Sequence, residues 1–399
     1  MNKDKNNVQN IILLSRYYRG ESASAPNELC AASLVKELLS KGFNVDVVCS
    51  IKTDDAYNNN NLIIHETGFK TNNKRTRPFF HKLITYLQGD INNKEKRLIF
   101  EKCKEICRSK RIDIVIAMFF PFENALAAKR IKERFPTIKF ITYELDSVSD
   151  SFNSSSFIQN IRKHIYNHKL KGIYKKADKI IIMQAHKEYF TNTFYKYTNK
   201  MAVSDIPMLK EPINMHSKSA NEKITLIYSG LLDSKYRNPL PLLKAFSSNV
   251  LKDIDFKITF FSSGDCRTIV EKHSFNDRIE YKNIVPKRVL DEKIANSDFL
   301  LNVGNFNSNS VPSKLIVYLS TGKPIIHFAY NEKDSCLPYL EKYPLSLILF
   351  NSNNFELNAK KIKDFIKNNS KKRIEFSVIK SVFFMNVPDY SCDIIVERE

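Results

Sequence analysis

The stretch NVGNFNSNSVPSKLIVYLSTGKPIIHF, residues 302–328, decides the fold. An apolar run at 298–303 has the continuous hydrophobicity of a strand covered on both faces. It leads into the polar loop 305–310. Pro312 then opens an amphipathic helix that stops at Gly322, and Lys323-Pro324 leads into a second apolar strand. Proline suits a first helical position, because its missing N–H would be unpaired there anyway. The helix start offers free backbone N–H groups, the hydroxyls of Ser310 and Ser313, and the ammonium of Lys314. Orphan donors and the helix dipole together make such a place an anion site.

Outward from this unit, two similar series of strands and helices follow one another. The first has strands at 10–14, 45–49, 62–64, 112–118, 138–143 and 179–183. The second has them at 224–228, 256–261, 279–281, 298–303, 324–328 and 345–350. Helix-period segments lie between many of them, at 27–40, 93–109, 123–134, 239–248, 289–296 and 312–320. This alternation predicts an α/β protein of two Rossmann-like, doubly wound parallel-sheet domains facing a central cleft. The boundary falls in the proline-bearing segment 205–216, which gives domains at 1–205 and 206–379.

The combination Pro312-Ser-Lys, an aromatic one turn further on at Tyr318, and Ser-Thr-Gly-Lys-Pro-Ile-Ile at 320–326 resembles the donor-binding segment of the GT-B glycosyltransferases. The likeness is to the large group related to family 4. It implies a nucleotide-sugar donor, UDP-linked, bound by the C-terminal domain, and an acceptor over the N-terminal one. It also implies a final helix, 380–399, that packs back on the N-terminal domain. By this resemblance Gly230, Arg237, Ser313 and Lys314 meet the donor diphosphate, with Lys235 as the fallback for Arg237. A guanidinium suits that task because it binds phosphate in a bidentate fork. Asn309, Ser310, Val285 and Ser263 fall on the sugar and nucleotide side. In the N-terminal half, Asp146 and then Glu144 are the candidate catalytic carboxylates near an acceptor hydroxyl. Gly20 and Ser22 belong to the loop 16–27, which borders the acceptor and lacks the glycine fingerprint of a dinucleotide site.

The resemblance further implies transfer to a saccharide or lipid-linked acceptor in surface polysaccharide synthesis, retaining and metal-independent, with no cofactor. The chain departs from the pattern where the family places two glutamates eight positions apart. Asn309 and Val317 stand there, and valine cannot bind a ribose diol. A catalytically inactive glycosyltransferase-like partner or scaffold is therefore the alternative. An epimerase of the same fold would need cleft carboxylates and histidines that the sequence does not show.

The totals fit an ordinary globular protein, expected in the cytosol. The 399 residues carry a net charge of +20. Residues 1–205 hold 35 Lys and Arg against 21 Asp and Glu, and the rest hold 28 against 22. That asymmetry fits an anionic membrane surface or a phosphorylated acceptor; the segment 77–88 combines an apolar face with flanking cations, and the stretch 162–176 adds further cations to the same half. Nucleic acid has only charge in its favour and is not expected. The N-terminus lacks an apolar signal core and no run reaches the length of a membrane helix, so a cytoplasmic protein, peripheral at the membrane, is expected. The seven cysteines match no disulfide or zinc spacing and read as reduced, buried thiols. The eight histidines form no metal-binding pair, and His327 reads as a packed core residue. Asp253-Ile-Asp255 reads as a turn.

Overall fold

A computed structural model describes residues 9–20, 26–52, 59–69, 91–119, 121–145, 157–212, 223–274, 277–306, 311–351 and 354–397. The chain divides into two compact units. One is Met1–Met208 together with Met385–Glu399; the other is Leu209–Phe384.

The first unit contains β1 (Asn10–Leu14), β2 (Tyr17–Tyr18), β3 (Asn44–Cys49), β4 (Ile51–Lys52), β5 (Leu62–Glu66), β6 (Ile114–Phe119), β7 (Lys139–Glu144), β8 (Lys179–Met183) and β9 (Met201–Ser204). The two-residue strands β2 and β4 pair with each other. The other seven form one parallel sheet in the order β5-β3-β1-β6-β7-β8-β9. Every residue of β6 is buried, as an Ile-Val-Ile-Ala-Met-Phe run between two helical layers must be. Helices such as Pro26–Ser40, Asn93–Ser109 and Phe122–Arg134 cover the sheet. Asn92 starts the second of these, its side-chain oxygen accepting from the N–H groups of Lys94 and Glu95 at 3.1 Å each.

The C-terminal helix Pro388–Val396 belongs to this unit. Its last turn is met by two cations from the strand starts. Lys179 Nζ donates to the Ile394 carbonyl at 2.8 Å and Lys139 Nζ to the Ile395 carbonyl at 3.3 Å. Positive charge at a helix C-terminus opposes the dipole and satisfies orphan carbonyls. Lower down, the buried Ser391 hydroxyl lies 2.9 Å from Ser204 Oγ and 3.1 Å from Tyr143 Oη.

The second unit is a six-stranded parallel sheet of β10 (Ile224–Leu232), β11 (Phe256–Gly264), β12 (Ile279–Lys282), β13 (Phe299–Val303), β14 (Ile325–Ala329) and β15 (Ser346–Phe350). Their order is β12-β11-β10-β13-β14-β15. The Ser-Thr-Gly-Lys-Pro string explains one corner of it. Thr321 Oγ1 donates to the Tyr318 carbonyl at 2.7 Å, closing the helix Ser313–Ser320. Lys323 is fully buried, and its ammonium donates to the carbonyls of Ile294 at 2.5 Å, Ala295 at 2.7 Å and Ser297. The motif lysine thus caps the helix Lys287–Ala295 from below, satisfying carbonyls that would otherwise be stranded in the core.

Several elements lie beyond the sequence expectation: the edge strand β9, the basic helix Phe157–Tyr174 and the helix Phe355–Asn369. The amphipathic segment 77–88 lies outside the described residues, as does the polar run 217–222 of the domain boundary.

Glu144 ends β7 and is buried, at 2% exposure. Burial pushes its carboxyl up to about 8, opposed only in part by the nearby hydroxyls of Thr142 and Tyr174. It is therefore mostly protonated at neutral pH. A carboxyl raised in the folded state costs stability as pH climbs from the unfolded value of 4.5 toward 8, because only the unfolded chain ionises freely. Glu144→Gln should equal wild type in denaturation midpoint near pH 4.5. It should then gain on it by up to ~1.4 kcal/mol per pH unit as pH rises to 8. Urea unfolding across that range checks this, and a constant difference at all pH values would refute it.

Candidate functional site

In the second sheet the strand order reverses between β10 and β13, so the connections leaving these neighbours run to opposite sides. Ligands of open α/β sheets bind at such a point, outside the carboxyl ends of the strands. Ser229 and Gly230 lie on β10 there, Gly304 and Asn305 follow β13, and the helix Ser313–Ser320 begins beside them.

Ser229 organises the centre. Its N–H donates to Tyr318 Oη at 2.8 Å, and the two hydroxyls lie 3.1 Å apart. Lys314 Nζ donates to Ser229 Oγ at 3.3 Å. Burial holds the Lys314 ammonium down to about 8, and repulsion from Arg237 adds to the shift. Two cations therefore face one small region. Gly230 adopts φ 147°, which side chains on Cβ rarely tolerate. A Cβ there would stand 3.3 Å from Tyr228 Oη and 3.8 Å from Lys314 Cδ. The sequence predicts a strand at 224–228; β10 instead runs on to Leu232, so Gly230 is an interior kink.

Arg237 is fixed by a tight turn. Its N–H donates to the Asp233 carbonyl at 2.8 Å, while Asp233 Oδ1 accepts from the N–H groups of Lys235 and Tyr236 at 2.9 Å each. The guanidinium donates from Nε at 2.9 Å and from Nη2 at 2.6 Å, both to Asn305 Oδ1. An amide oxygen orients the cation without neutralising it. Among the described residues neither Arg237 nor Lys314 has a carboxylate within ion-pair distance. The Lys235 ammonium lies over the Tyr236 ring, 5.1 Å from its centroid.

Ser313 is buried in the first turn of its helix. Pro312 sits at the cap with extended backbone and no capping side chain, so among the described residues no side chain caps the helix start. Val317 is half-buried on the same helix. Ser263, at the end of β11, and Val285, between β12 and the next helix, are both half-buried, and neighbouring Ile284 is 63% exposed. Asn309 and Ser310 lie outside the described residues.

In the first unit the sheet reverses between β1 and β6. Gly20 is buried in the loop after β1, at φ 55°. Arg16, in the same loop, makes a two-pronged pair with the buried Glu95 at 3.0 and 2.8 Å. Glu144 is enclosed by its own unit, while Asp146 and Ser22 fall outside the described residues. Asp253 pairs with Lys363 at 2.8 Å and Asp255 with Lys223 at 3.0 Å, so the D-x-D is a surface turn held by ion pairs.

Motif reading pointed to Lys314, Ser313, Arg237 and Gly230, which lie together at this end of the sheet. It missed Ser229, Asn305 and the hydroxyl of Tyr318, which act through contacts across 68 to 89 residues.

No family model matches the chain, and no curated protein matches it. Solved structures do. HepE of Anabaena, in complex with UDP and glucose, is 10% identical with a TM-score of 0.62, the match covering 98% of this chain and 99% of that one. WaaG, a glycosyltransferase involved in lipopolysaccharide biosynthesis, is 9% identical with a TM-score of 0.59, covering 97% and 100%. The UDP-GlcNAc 2-epimerase from Methanocaldococcus jannaschii is 10% identical with a TM-score of 0.59, covering 98% and 100%. At these identities the likeness shows the fold, and the fold is GT-B.

Proposed function

We propose that this chain is a glycosyltransferase that moves a sugar from a nucleotide-sugar, UDP-linked, to a saccharide or lipid-linked acceptor in glycan synthesis. The observation that carries the reading is the convergence of Lys314 and Arg237, neither with a carboxylate at ion-pair distance among the described residues, on a helix start that Pro312 leaves without a side-chain cap, at the switch point of the second sheet. Two fixed cations and free N–H groups match a diphosphate leaving group. They would stabilise charge as it develops there, the preorganised electrostatic effect that usually dominates catalysis. In this reading the side-chain cations do what a metal does elsewhere, and transfer is metal-independent and retaining. HepE with UDP and glucose supports a UDP-sugar, and WaaG supports a glycan acceptor. Asp146 is the proposed carboxylate at the acceptor, with Gly20 and Ser22 on the acceptor side; Ser263, Val285, Asn309 and Ser310 are proposed on the donor side. The protonated, enclosed Glu144 is less suited to act as a base.

Val317 favours a second reading, a nucleotide-binding partner without turnover. Release of UDP from UDP-sugars with an acceptor present distinguishes the two.

The acceptor side suits a membrane surface. The helix Phe157–Tyr174 contains no acidic residue. It exposes Phe157 by 77%, Ile158 by 49% and Ile161 by 37%, beside Arg162 and Lys163. Apolar side chains edged by cations favour an anionic leaflet. No described helix is long and apolar enough to cross a membrane.

Calorimetric titration with UDP should show binding that weakens by about tenfold or more in Lys314→Met. Wild-type affinity should hold below pH 8 and fall above it as Lys314 loses its proton, whereas the variant should stay flat over that window. Failure of folded wild type to bind UDP, or a pH profile shared with the variant, would count against the donor site. In sedimentation with lipid vesicles, the protein should prefer anionic over neutral vesicles, and Phe157→Ser with Ile161→Ser should cut binding by about tenfold. Equal binding by wild type and the double variant would remove the membrane proposal.

A further inference from the structure

One buried group of side chains in the second unit is left unused by the nucleotide reading. Successive side chains of a strand point to opposite faces. On β14, Ile326 and Phe328 enter the main apolar cluster, and His327 points the other way. There it meets Asp334 and Cys336 from the turn that follows. His327 and Cys336 are fully buried and Asp334 is 5% exposed. A ring nitrogen, a carboxylate oxygen and the thiol sulfur lie within 4.8 Å of one another.

The local hydrogen bonding leaves part of this group unanswered. Asp334 Oδ1 accepts from the Cys336 N–H at 2.9 Å, which fixes the carboxylate. His327 Nδ1 lies 2.9 Å from Asn302 Nδ2. Across the group, His327 Nε2 stands 3.2 Å from Asp334 Oδ2, yet neither atom is in a hydrogen bond. They are near and out of line. Gly304 presses on the same carboxylate: a Cβ there would stand 1.6 Å from Oδ2, so only glycine leaves room for it. The two atoms face each other at ion-pair distance without an aligned hydrogen bond, a geometry that a bridging cation would satisfy.

We propose that His327, Asp334 and Cys336 form a buried, three-ligand site for a zinc-like divalent cation. Imidazole nitrogen, carboxylate oxygen and thiolate sulfur are the ligand types that zinc takes. The existing spacing supports it. A nitrogen and an oxygen 3.2 Å apart, each bonded to zinc at about 2.0–2.1 Å, subtend close to the tetrahedral angle. The sulfur must swing in from its present place beside Asn302 Nδ2, 3.5 Å away, which takes rotation of one side chain. On binding, the thiol gives its proton to solvent, since metal-bound cysteine is a thiolate. Nδ1 then carries the imidazole proton and donates it to the side-chain oxygen of Asn302, whose amide turns over to accept it. Water fills the fourth position. The group lies beside Gly304, next to the Asn305 that orients Arg237, so the cation would stiffen one wall of the anion site without entering the reaction.

The test uses full-length, untagged protein stripped with a chelator and titrated with Co2+. A thiolate-to-cobalt charge-transfer band should grow and saturate at about one equivalent. Zn2+ should displace the cobalt and raise the melting temperature of the stripped protein, as any ligand of the folded state does. Cys336→Ser should lose the band, and Cys266→Ser, altered at another buried thiol, should keep it. Circular dichroism confirms that each sample is folded. Should Cys336→Ser not fold, the cobalt band of wild type and its weakening in Asp334→Asn decide. Folded wild type without a charge-transfer band, or a band that survives in Cys336→Ser, would reduce the group to a hydrogen-bonded network. UDP titration of the same stripped protein reports on the donor site separately.

Discussion

Lys314 is held largely out of water beside a second cation, Arg237, and the carboxyl end of the second sheet is arranged around that constraint. A fall from 10.5 to about 8 corresponds to roughly 3 kcal/mol disfavouring the charged form. An interior without a use for positive charge would relieve that cost with a carboxylate. Here Asn305 takes Arg237 and Ser229 takes Lys314, both neutral groups that orient a cation and leave its field intact. Backbone follows the same rule. Pro312 leaves the adjacent helix start uncapped, and Gly230 keeps the flank of Lys314 clear of any Cβ. Each feature alone is ordinary; together they leave positive potential that a bound anion would neutralise.

That arrangement depends on the sheet. β10 pairs with β11 on one side and β13 on the other, and its register with β11 continues through Gly230 to Leu232. The strand therefore projects two residues past the glycine and carries the turn Asp233–Arg237 with it. Arg237 reaches Asn305 because the Asp233 side chain folds that turn back and because the Phe306 N–H donates to the Tyr236 carbonyl at 2.7 Å. The cations thus owe their positions to backbone pairing, which is stiffer than side-chain contact on an open surface.

Much of the architecture was legible because parallel strands covered on both faces are continuous apolar runs. Phe299–Val303 and Ile325–Ala329 are fully buried in just this way. β9 escaped notice because it is a four-residue edge strand, mostly half-buried, whose apolar run is only three residues long. The helix Phe157–Tyr174 read only as a stretch of cations, since its apolar residues divide between a buried face and an exposed one. At the site, motif residues near a helix start could be read locally. Ser229, Asn305 and the Tyr318 hydroxyl could not, because each acquires its role from a partner on a distant element. His327 is buried as its strand suggested. Its place in a buried strand suggested plain packing, and only the turn back to Asp334 and Cys336 reveals a polar group of three.

In the proposed function, the absence of the paired glutamates that the resemblance implies bears unequally on the two parts of a donor site. The cations, Ser229 and the open helix start are built from contacts that also hold the fold: Tyr318 anchors β10, and the turn at 233–237 ties down the segment after β13. By the resemblance Asn309 and Val317 are the residues expected to meet sugar and ribose, where a valine offers only an aliphatic contact. A chain could therefore keep the diphosphate grip after turnover had disappeared, because selection for folding alone would preserve much of it. Nucleotide binding accordingly reports on the architecture, and sugar transfer reports on the enzyme.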